Sequence, residues 1–453
     1  MKPLRPAHIA VFIWLSIGLL GLVCWLWPEN NIYIGDMPLR FQTLSQALHL
    51  NDKETPEYAE LILEPDTAVV DTMSEKTAVQ PVIRDSLTSG QPQANLRQTD
   101  NSQQALLSSF YTALQSANRT SVRVVHYGDS QIEEDRISYR LRRSLQAEYG
   151  GNGYGLIPLH QTIPTRTLEQ RLLIDGVIQS VNGGPRRSLV YGPRSMRRDD
   201  GMYGPMGQVA ELNGTESVEM RLRPRTDKHY SENYFSHIRL LADSGITLSV
   251  NDDSLNHSGI IRVADSTMEC SLHIHGAGKV YGLSLESPTG VIVDNIPMRG
   301  SSGAVFTQID SAQLSNFYRE TNTRLIILQF GGNSLPNITN ENYIYGAVNQ
   351  LRKQVQYLKR CAPEASILFI GPSDMATVVD GTLQTYPLLP LMDSQLRRMA
   401  EKEEIAYFSM YHAMGGYGSM IKWVDLGLAG SDYVHFTRAG ADKASKLLLE
   451  WIF

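Results

Sequence analysis

The chain is short of cysteine, of net charge and of long apolar runs. Cysteine occurs only at Cys24, Cys270 and Cys361. Three scattered thiols make neither a disulfide framework nor a zinc site, whose ligands come in close pairs. No metal and no other cofactor is therefore expected. With 41 basic against 47 acidic residues the formal charge is −6, so no global field attracts nucleic acid. No repeat recurs at a fixed period, which excludes a solenoid. What is present is ordinary for a globular protein with a substantial core: 42% hydrophobic and 19% charged among 453 residues. That composition excludes wholesale disorder, collagen and coiled coil, and the length suggests two or three domains.

One apolar run is long enough to matter. Ile9 to Trp27 reads IAVFIWLSIGLLGLVCWLW, nineteen residues without a charge, enough to cross a bilayer core as a helix. Lys2 and Arg5 precede it and Glu29 follows, so the positive-inside rule keeps the N-terminus in the cytoplasm and sends the body across the membrane. A cleavable signal peptide is the competing reading. The run is long for one, and no small-x-small site follows, only Trp25, Leu26, Trp27 and Pro28. Val23 precedes Cys24 where lipidation wants a small residue, so Cys24 reads as an apolar helix residue. Residues 1–28 are thus a cytoplasmic stub and a single transmembrane anchor. The expected location is the inner (plasma) membrane, with a periplasmic or extracellular body.

Residues 29–102 read mostly as a flexible linker. A short apolar stretch at 32–50 gives way to a segment rich in Asp, Glu, Thr, Ser, Gln and Pro, which cannot bury enough surface to offset its ordering entropy. From residue 103 helix and strand alternate. Helical spacing over 104–117 leads to strand 122–127, then to a helix expected from Ile132 to Tyr149. Later the same grammar recurs: strand 325–330, helix 343–359, strand 366–370, helix 388–402, strand 405–408, helix 439–451. Such alternation specifies an α/β domain, a parallel sheet covered by helices on both faces. Between its two parts, 103–155 and 289–453, residues 156–288 change texture. Short alternating runs at 217–224, 237–242, 246–251, 270–275 and 279–287 are separated by Gly, Asn, Asp and Ser. They predict an inserted antiparallel β-sandwich or small barrel.

The chemistry concentrates in four places. At His126 to Gln131, HYGDSQ, a buried strand ends in Gly-Asp-Ser at a helix entry. The carboxyl ends of the strands form the ligand crevice in such sheets, and a helix N-terminus there directs N–H groups at an anion. Alone, the tripeptide is a weak signal, since a Ser after a strand is more often simply a helix N-cap. Asp432 and His435 stand three residues apart before the last helix, and a serine nucleophile needs an imidazole base held by a carboxylate. Asn333 in Phe330-Gly331-Gly332-Asn333 offers an amide donor to an oxyanion after another apolar strand. The loop Arg299-Gly300-Ser301-Ser302-Gly303 follows strand 291–296. Gly300, or alternatively Gly303, supplies a backbone N–H to the same hole.

A Gly-Asp-Ser serine, a glycine after the second strand, Gly-x-Asn after the third and Asp-x-x-His before the last helix occur in the order found in SGNH hydrolases, the GDSL esterases. The chain resembles that family over 103–155 and 289–453. The resemblance implies a flavodoxin-like three-layer domain in which Ser130 is nucleophile, His435 base and Asp432 its orienting partner, with Ser130, Gly300 and Asn333 forming the oxyanion hole. Three departures stand out: Gln131 in place of the common Leu, Ser334 in place of an acidic residue, and the insert itself. The insert's position is similar to that in membrane-anchored peptidoglycan O-acetylesterases, where a carbohydrate-binding-module-like sandwich interrupts the domain.

The implied activity is a carboxylic ester hydrolase that removes O-acetyl or other short acyl groups from a cell-envelope polysaccharide, peptidoglycan being the first candidate. The alternatives are a polysaccharide O-acetyltransferase using the same triad, and a non-catalytic tethered glycan-binding protein. The expected partners are the acylated glycan, the membrane through residues 9–27 and a membrane-bound O-acyltransferase. Arg186, Arg187, Arg194, Arg197 and Arg198 form a basic stretch that suits either an anionic envelope polymer or a solvated loop. Any glycan binding by the insert would proceed without tryptophan, since all five lie outside it. Tyr191, Tyr203, Tyr230 and Tyr234 are its candidate stacking faces. Lys279 does not have Walker spacing and reads as a strand-flanking lysine.

Overall fold

The computed structural model describes residues 32–34, 37–39 and 101–453, except 181–182, 226–233, 251–252, 257–258, 268 and 339. The chain divides into two units, Met1–Gly90 and Gln91–Phe453. In the first, Ile32–Ile34 pairs antiparallel with Met37–Leu39. The apolar run at 9–27 and the segment 51–100 lie outside the described residues. Among those described, no helix is long and apolar enough to cross a membrane.

The second unit is built on five parallel strands: β1 (Ser121–Gly128), β2 (Gly290–Pro297), β3 (Thr323–Gln329), β4 (Ser366–Ile370) and β5 (Ala406–Phe408), in the order β2-β1-β3-β4-β5. Their apolar runs are near-continuous because both faces are covered. Val122 and Val124 of β1, Leu325 and Ile327 of β3, and Leu368 and Ile370 of β4 enter one core. Val125, Tyr127, Ile326, Leu328, Ile367 and Phe369 enter the other. The two-residue period of a strand thus splits each run between two layers.

The first core is closed by α1 (Ser138–Tyr149) and the last helix, α5 (Arg438–Ile452), through Leu141, Leu145, Ala444 and Leu448. The other is closed by α2 (Ser311–Glu320), α3 (Glu341–Cys361) and α4 (Leu389–Lys402), through Leu314, Val355 and Leu396 among others. The result is the three-layer, flavodoxin-like order. Two helices expected from sequence are broken. The segment 104–117 forms two short helices, Asn101–Ala105 and Ser108–Leu114. The expected helix from Ile132 begins as a 3-10 turn, Ser130–Asp135, because Glu134 and Asp135 sit at φ of 59° and 62° and interrupt the α geometry before α1.

The insert is antiparallel throughout and folds as a sandwich around a core of its own, with Leu172, Met220, Leu248 and Leu272 from one sheet meeting Leu212, Ile238, Leu240 and Leu283 from the other. The two strands expected at 270–275 and 279–287 are one, Cys270–Glu286. Its first half pairs with Ile246–Val250 and Val218–Pro224, its second with Phe235–Ala242, Gln208–Asn213 and Gly155–Ile157. The glycines that look like a turn are where the strand passes between sheets. At Gly276 φ is 103° and a Cβ would stand 1.9 Å from the Gly245 carbonyl oxygen, so only glycine fits.

A buried ion network fastens the insert to the parallel sheet. Arg123 of β1 is fully buried. It donates to Asp294 Oδ1 of β2 at 2.6 Å, to Ser284 Oγ at 3.0 Å and to Glu286 at the end of the insert's last strand. Asp294 Oδ1 also accepts the Leu156 N–H at 2.8 Å, where the chain enters the insert. Entry and exit therefore meet on one carboxylate and one guanidinium. Removing the cation would strand buried carboxylates, of which only Glu286 keeps a second arginine, Arg239 at 2.9 Å. Arg123→Met is expected to cost about 3–5 kcal/mol, read as a lower urea midpoint at unchanged slope. A variant as stable as the wild type would mean that the carboxylates are neutral in the fold.

Candidate active site

The crevice lies where the strand order reverses, outside the carboxyl ends of β1 and β3. β1 ends at Gly128, and Asp129 caps the 3-10 turn that follows, its Oδ1 accepting the Gln131 N–H at 3.0 Å. Ser130 is therefore the first residue of that turn. Its N–H finds no acceptor among the described residues. From the loop before α5, His435 brings Nε2 to 2.8 Å from Ser130 Oγ. His435 Nδ1 lies 2.7 Å from Asp432 Oδ2.

The local sequence explains how Asp432 holds that position. Its Oδ1 accepts the N–H groups of Val434 and His435, both at 3.0 Å, while Tyr433 takes a φ of 56° to close the turn. One carboxylate thus folds the loop with one oxygen and orients the imidazole with the other. Burial acts to raise its pKa, but the hydrogen bonds from His435 and Val434 prevail and hold it below the ordinary carboxylate value. Asp432 is ionised at neutral pH, and with its Nδ1–H directed at Oδ2, His435 presents the Nε2 lone pair to Ser130.

Asn333 is brought in by the turn after β3, where Gly331 adopts a φ of 120°. Its Nδ2 donates to Asp129 Oδ2 at 3.1 Å and to the Ser301 carbonyl at 3.2 Å. Both amide hydrogens have acceptors, so donation to an oxyanion requires one of these bonds to open or be shared. The loop after β2 reaches the site through Ser301. The Gly303 N–H is taken by Ser301 Oγ at 3.0 Å, whereas that of Gly300, at a φ of 72°, has no acceptor among the described residues. Of the two glycines, Gly300 is the one with an N–H to give. Around Ser130, Asn333 and His435 lies a cavity of about 150 Å³, closed by Pro372, Met375 and Tyr386. Drug-sized ligands occupy some 300–1,000 Å³, so this space suits a short acyl group.

Two residues beside Ser130 and His435 have roles that the sequence did not disclose. Gln131 is a clamp: its Nε2 donates to Ser373 Oγ at 3.0 Å and to the Val434 carbonyl at 2.6 Å, and its Oε1 accepts the Phe436 N–H at 3.3 Å. Val434 and Phe436 flank His435, so Gln131 ties the loop before α5 to the turn after β1. Asp129 braces Asn333 while nearly buried. His126, in the same motif, is no part of the site. It bonds Gln329 and Ser138 in the interior, and burial pushes its pKa down to about 4.

Burial raises the Asp129 pKa from 3.8 to about 6, more than the Gln131 N–H and the His435 ring counteract. A carboxyl raised in the fold contributes stability that is complete below its unfolded pKa and is lost as the pH climbs through the folded one. Between pH 4 and pH 7 the wild type is expected to lose about 2 kcal/mol relative to Asp129→Asn, read from urea unfolding of both proteins at each pH. A difference that stays flat would place the Asp129 carboxyl at its ordinary pKa.

No protein-family model matches the chain, and no curated protein does. Among solved structures, it is similar to one described as a peptidoglycan O-acetylesterase in action, at 20% identity, covering 78% of this chain and 95% of that one with a TM-score of 0.60. The match takes in more of this chain than the two α/β segments contain, so the shared fold includes the insert. Two further similarities are too loose to support an argument. One is to a salicylyl-acyltransferase from a tetracycline biosynthetic pathway, at 12% identity over 63% of this chain and 93% of that one, TM-score 0.29. The other is to the periplasmic domain of a lipopolysaccharide acetyltransferase from Salmonella ser. Paratyphi A, at 15% over 35% and 69%, TM-score 0.24.

Proposed function

We propose that the chain is an SGNH-type serine esterase that hydrolyses O-acetyl or other short acyl esters on a cell-envelope polysaccharide, with peptidoglycan the first substrate to test. The observation that carries the reading is the continuous relay Asp432 Oδ2, His435, Ser130 Oγ, with contacts of 2.7 and 2.8 Å. In this reading His435 takes the Ser130 proton as Oγ attacks the ester carbonyl. The tetrahedral oxyanion is met by the N–H groups of Ser130 and Gly300 and by the Asn333 amide, each donor contributing about 3 kcal/mol in a water-poor site. The His435 imidazolium then protonates the departing sugar oxygen, leaving an acyl ester on Ser130. Water, deprotonated by His435, attacks that ester, and the acid leaves as Ser130 regains its proton.

The small cavity beside Ser130 supports a short acyl group. Partial exposure of His435 and Asp432, 37% and 50% of their side chains, supports water as the acceptor. Residues 9–27 would anchor the body to the inner membrane on its outer side, beside a membrane-bound O-acyltransferase that modifies the same glycan. The test is acetate release from O-acetylated peptidoglycan by the full chain, with and without free sugar acceptors. Acetate release that acceptors do not suppress is the expected result. Acetyl groups appearing on the acceptor would favour the transferase, and silence in both assays the tethered binding protein.

A further inference from the structure

A second cavity, of about 520 Å³, opens between the insert and the α/β domain. It begins beside the catalytic loops: Glu133 in its wall is three residues past Ser130, and Arg299 is one before Gly300. Three residues span at most about 10 Å, so this opening lies within reach of the units that flank an ester held at Ser130.

The charges around it are almost all spoken for. Glu133 is bidentate with Arg299, at 2.5 and 2.6 Å. Asp135 holds Arg142 at 2.5 and 3.1 Å, and Glu134 holds Arg136 at 3.1 Å. Arg187 is different. It lies on strand Arg186–Leu189, whose alternate residues Arg187 and Leu189, with Tyr191 beyond, line the cavity, while Arg186 faces out toward Glu211. The other basic residues of this stretch are engaged elsewhere or exposed: Arg198 with Asp200 and Glu211, Arg197 with the Gly192 carbonyl, and Arg194 in solvent. Among the described residues no carboxylate lies within ion-pair distance of Arg187.

A guanidinium drawn half out of water without an anion is costly, and a carboxylate met side-on offsets that cost through two parallel charge-assisted bonds. Burial lowers the Arg187 pKa, and the neighbouring Tyr191 opposes this only in part. Tyr191 in the same wall supplies a face of the kind that sugar rings cover.

We infer that this cavity is a substrate subsite in which Arg187 binds a carboxylate carried by the glycan or by its peptide substituent, next to the ester that Ser130 attacks. The inference rests on the proposed glycan esterase activity for its substrate, but its test reads binding alone. The full chain carrying Ser130→Ala is titrated calorimetrically with a de-O-acetylated muropeptide and with the same molecule whose carboxylates are amidated. An oligogalacturonate distinguishes a ring carboxylate from a lactyl or peptide one. The parent is expected to prefer the carboxylate form about tenfold or more, Arg187→Gln to lose that preference, and Arg187→Lys, which keeps the charge without the fork, to retain part of it. Equal affinity of the parent for carboxylate and amide overturns the inference, even if Arg187→Gln does not fold. Carboxylate preference together with no acetate release from any glycan would leave the subsite standing and remove the esterase reading instead.

Discussion

Ser130→Ala is expected to lower kcat/KM for a chromogenic acetyl ester by about 10⁴- to 10⁶-fold, the range seen when a triad nucleophile is removed. The size follows from what remains. With Ser130 Oγ gone, His435 Nε2 loses the partner it holds at 2.8 Å, and the acyl-enzyme of the proposed mechanism cannot form. The oxyanion donors and the pocket stay in place and give only residual catalysis over water. His435→Ala is expected to fall about as far, and the double variant hardly further, because the two residues act as one unit and their losses do not add. The measurement is steady-state hydrolysis by the full chain and the three variants, with folding checked by urea midpoint. A Ser130→Ala variant within tenfold of the wild type would place the nucleophile elsewhere.

Much of this site was legible in the chain because its chemistry is locally encoded. Gly-Asp-Ser after an apolar strand fixes, within a few residues, the turn that presents Ser130. Asp-x-x-His is a turn that writes itself, since an aspartate reaches the N–H groups two and three residues on, as Asp432 does at Val434 and His435. The alternation of strands and helices gave the sheet and its layers for the same reason. Gln131 was visible as a departure but not as a clamp, because its partners Ser373, Val434 and Phe436 lie 242 to 305 residues away. The link between Asp129 and Asn333 likewise spans 204 residues. Glycines misled where they serve passage between sheets and not a turn, as in strand Cys270–Glu286. The break at Glu134 and Asp135 carries neither glycine nor proline, so nothing local announced it. The Arg187 cavity is assembled from both domains, and no single segment contains it.

The second large effect concerns Asp432, and there the geometry dictates the direction. In Asp432→Asn the side-chain oxygen has to face the N–H groups of Val434 and His435, which demand an acceptor and now receive one from Oδ1. The amide nitrogen is left facing His435 Nδ1, where Oδ2 stands 2.7 Å away in the wild type. Two N–H groups cannot face each other, so His435 moves its proton to Nε2. The base then presents a hydrogen to Ser130 Oγ in place of a lone pair. The loop keeps its fold and the substrate its pocket, so KM should change little while kcat falls by about 10³- to 10⁴-fold, the effect of the wrong tautomer in a triad. Nitrogen-15 shifts of the His435 ring check the cause independently of rate: Nδ1 protonated in the wild type, Nε2 protonated in the variant. A variant with normal kcat would mean that water at this half-exposed aspartate orients the imidazole as well as the carboxylate does. A loss confined to KM would assign Asp432 to substrate binding and leave His435 without its orienting partner.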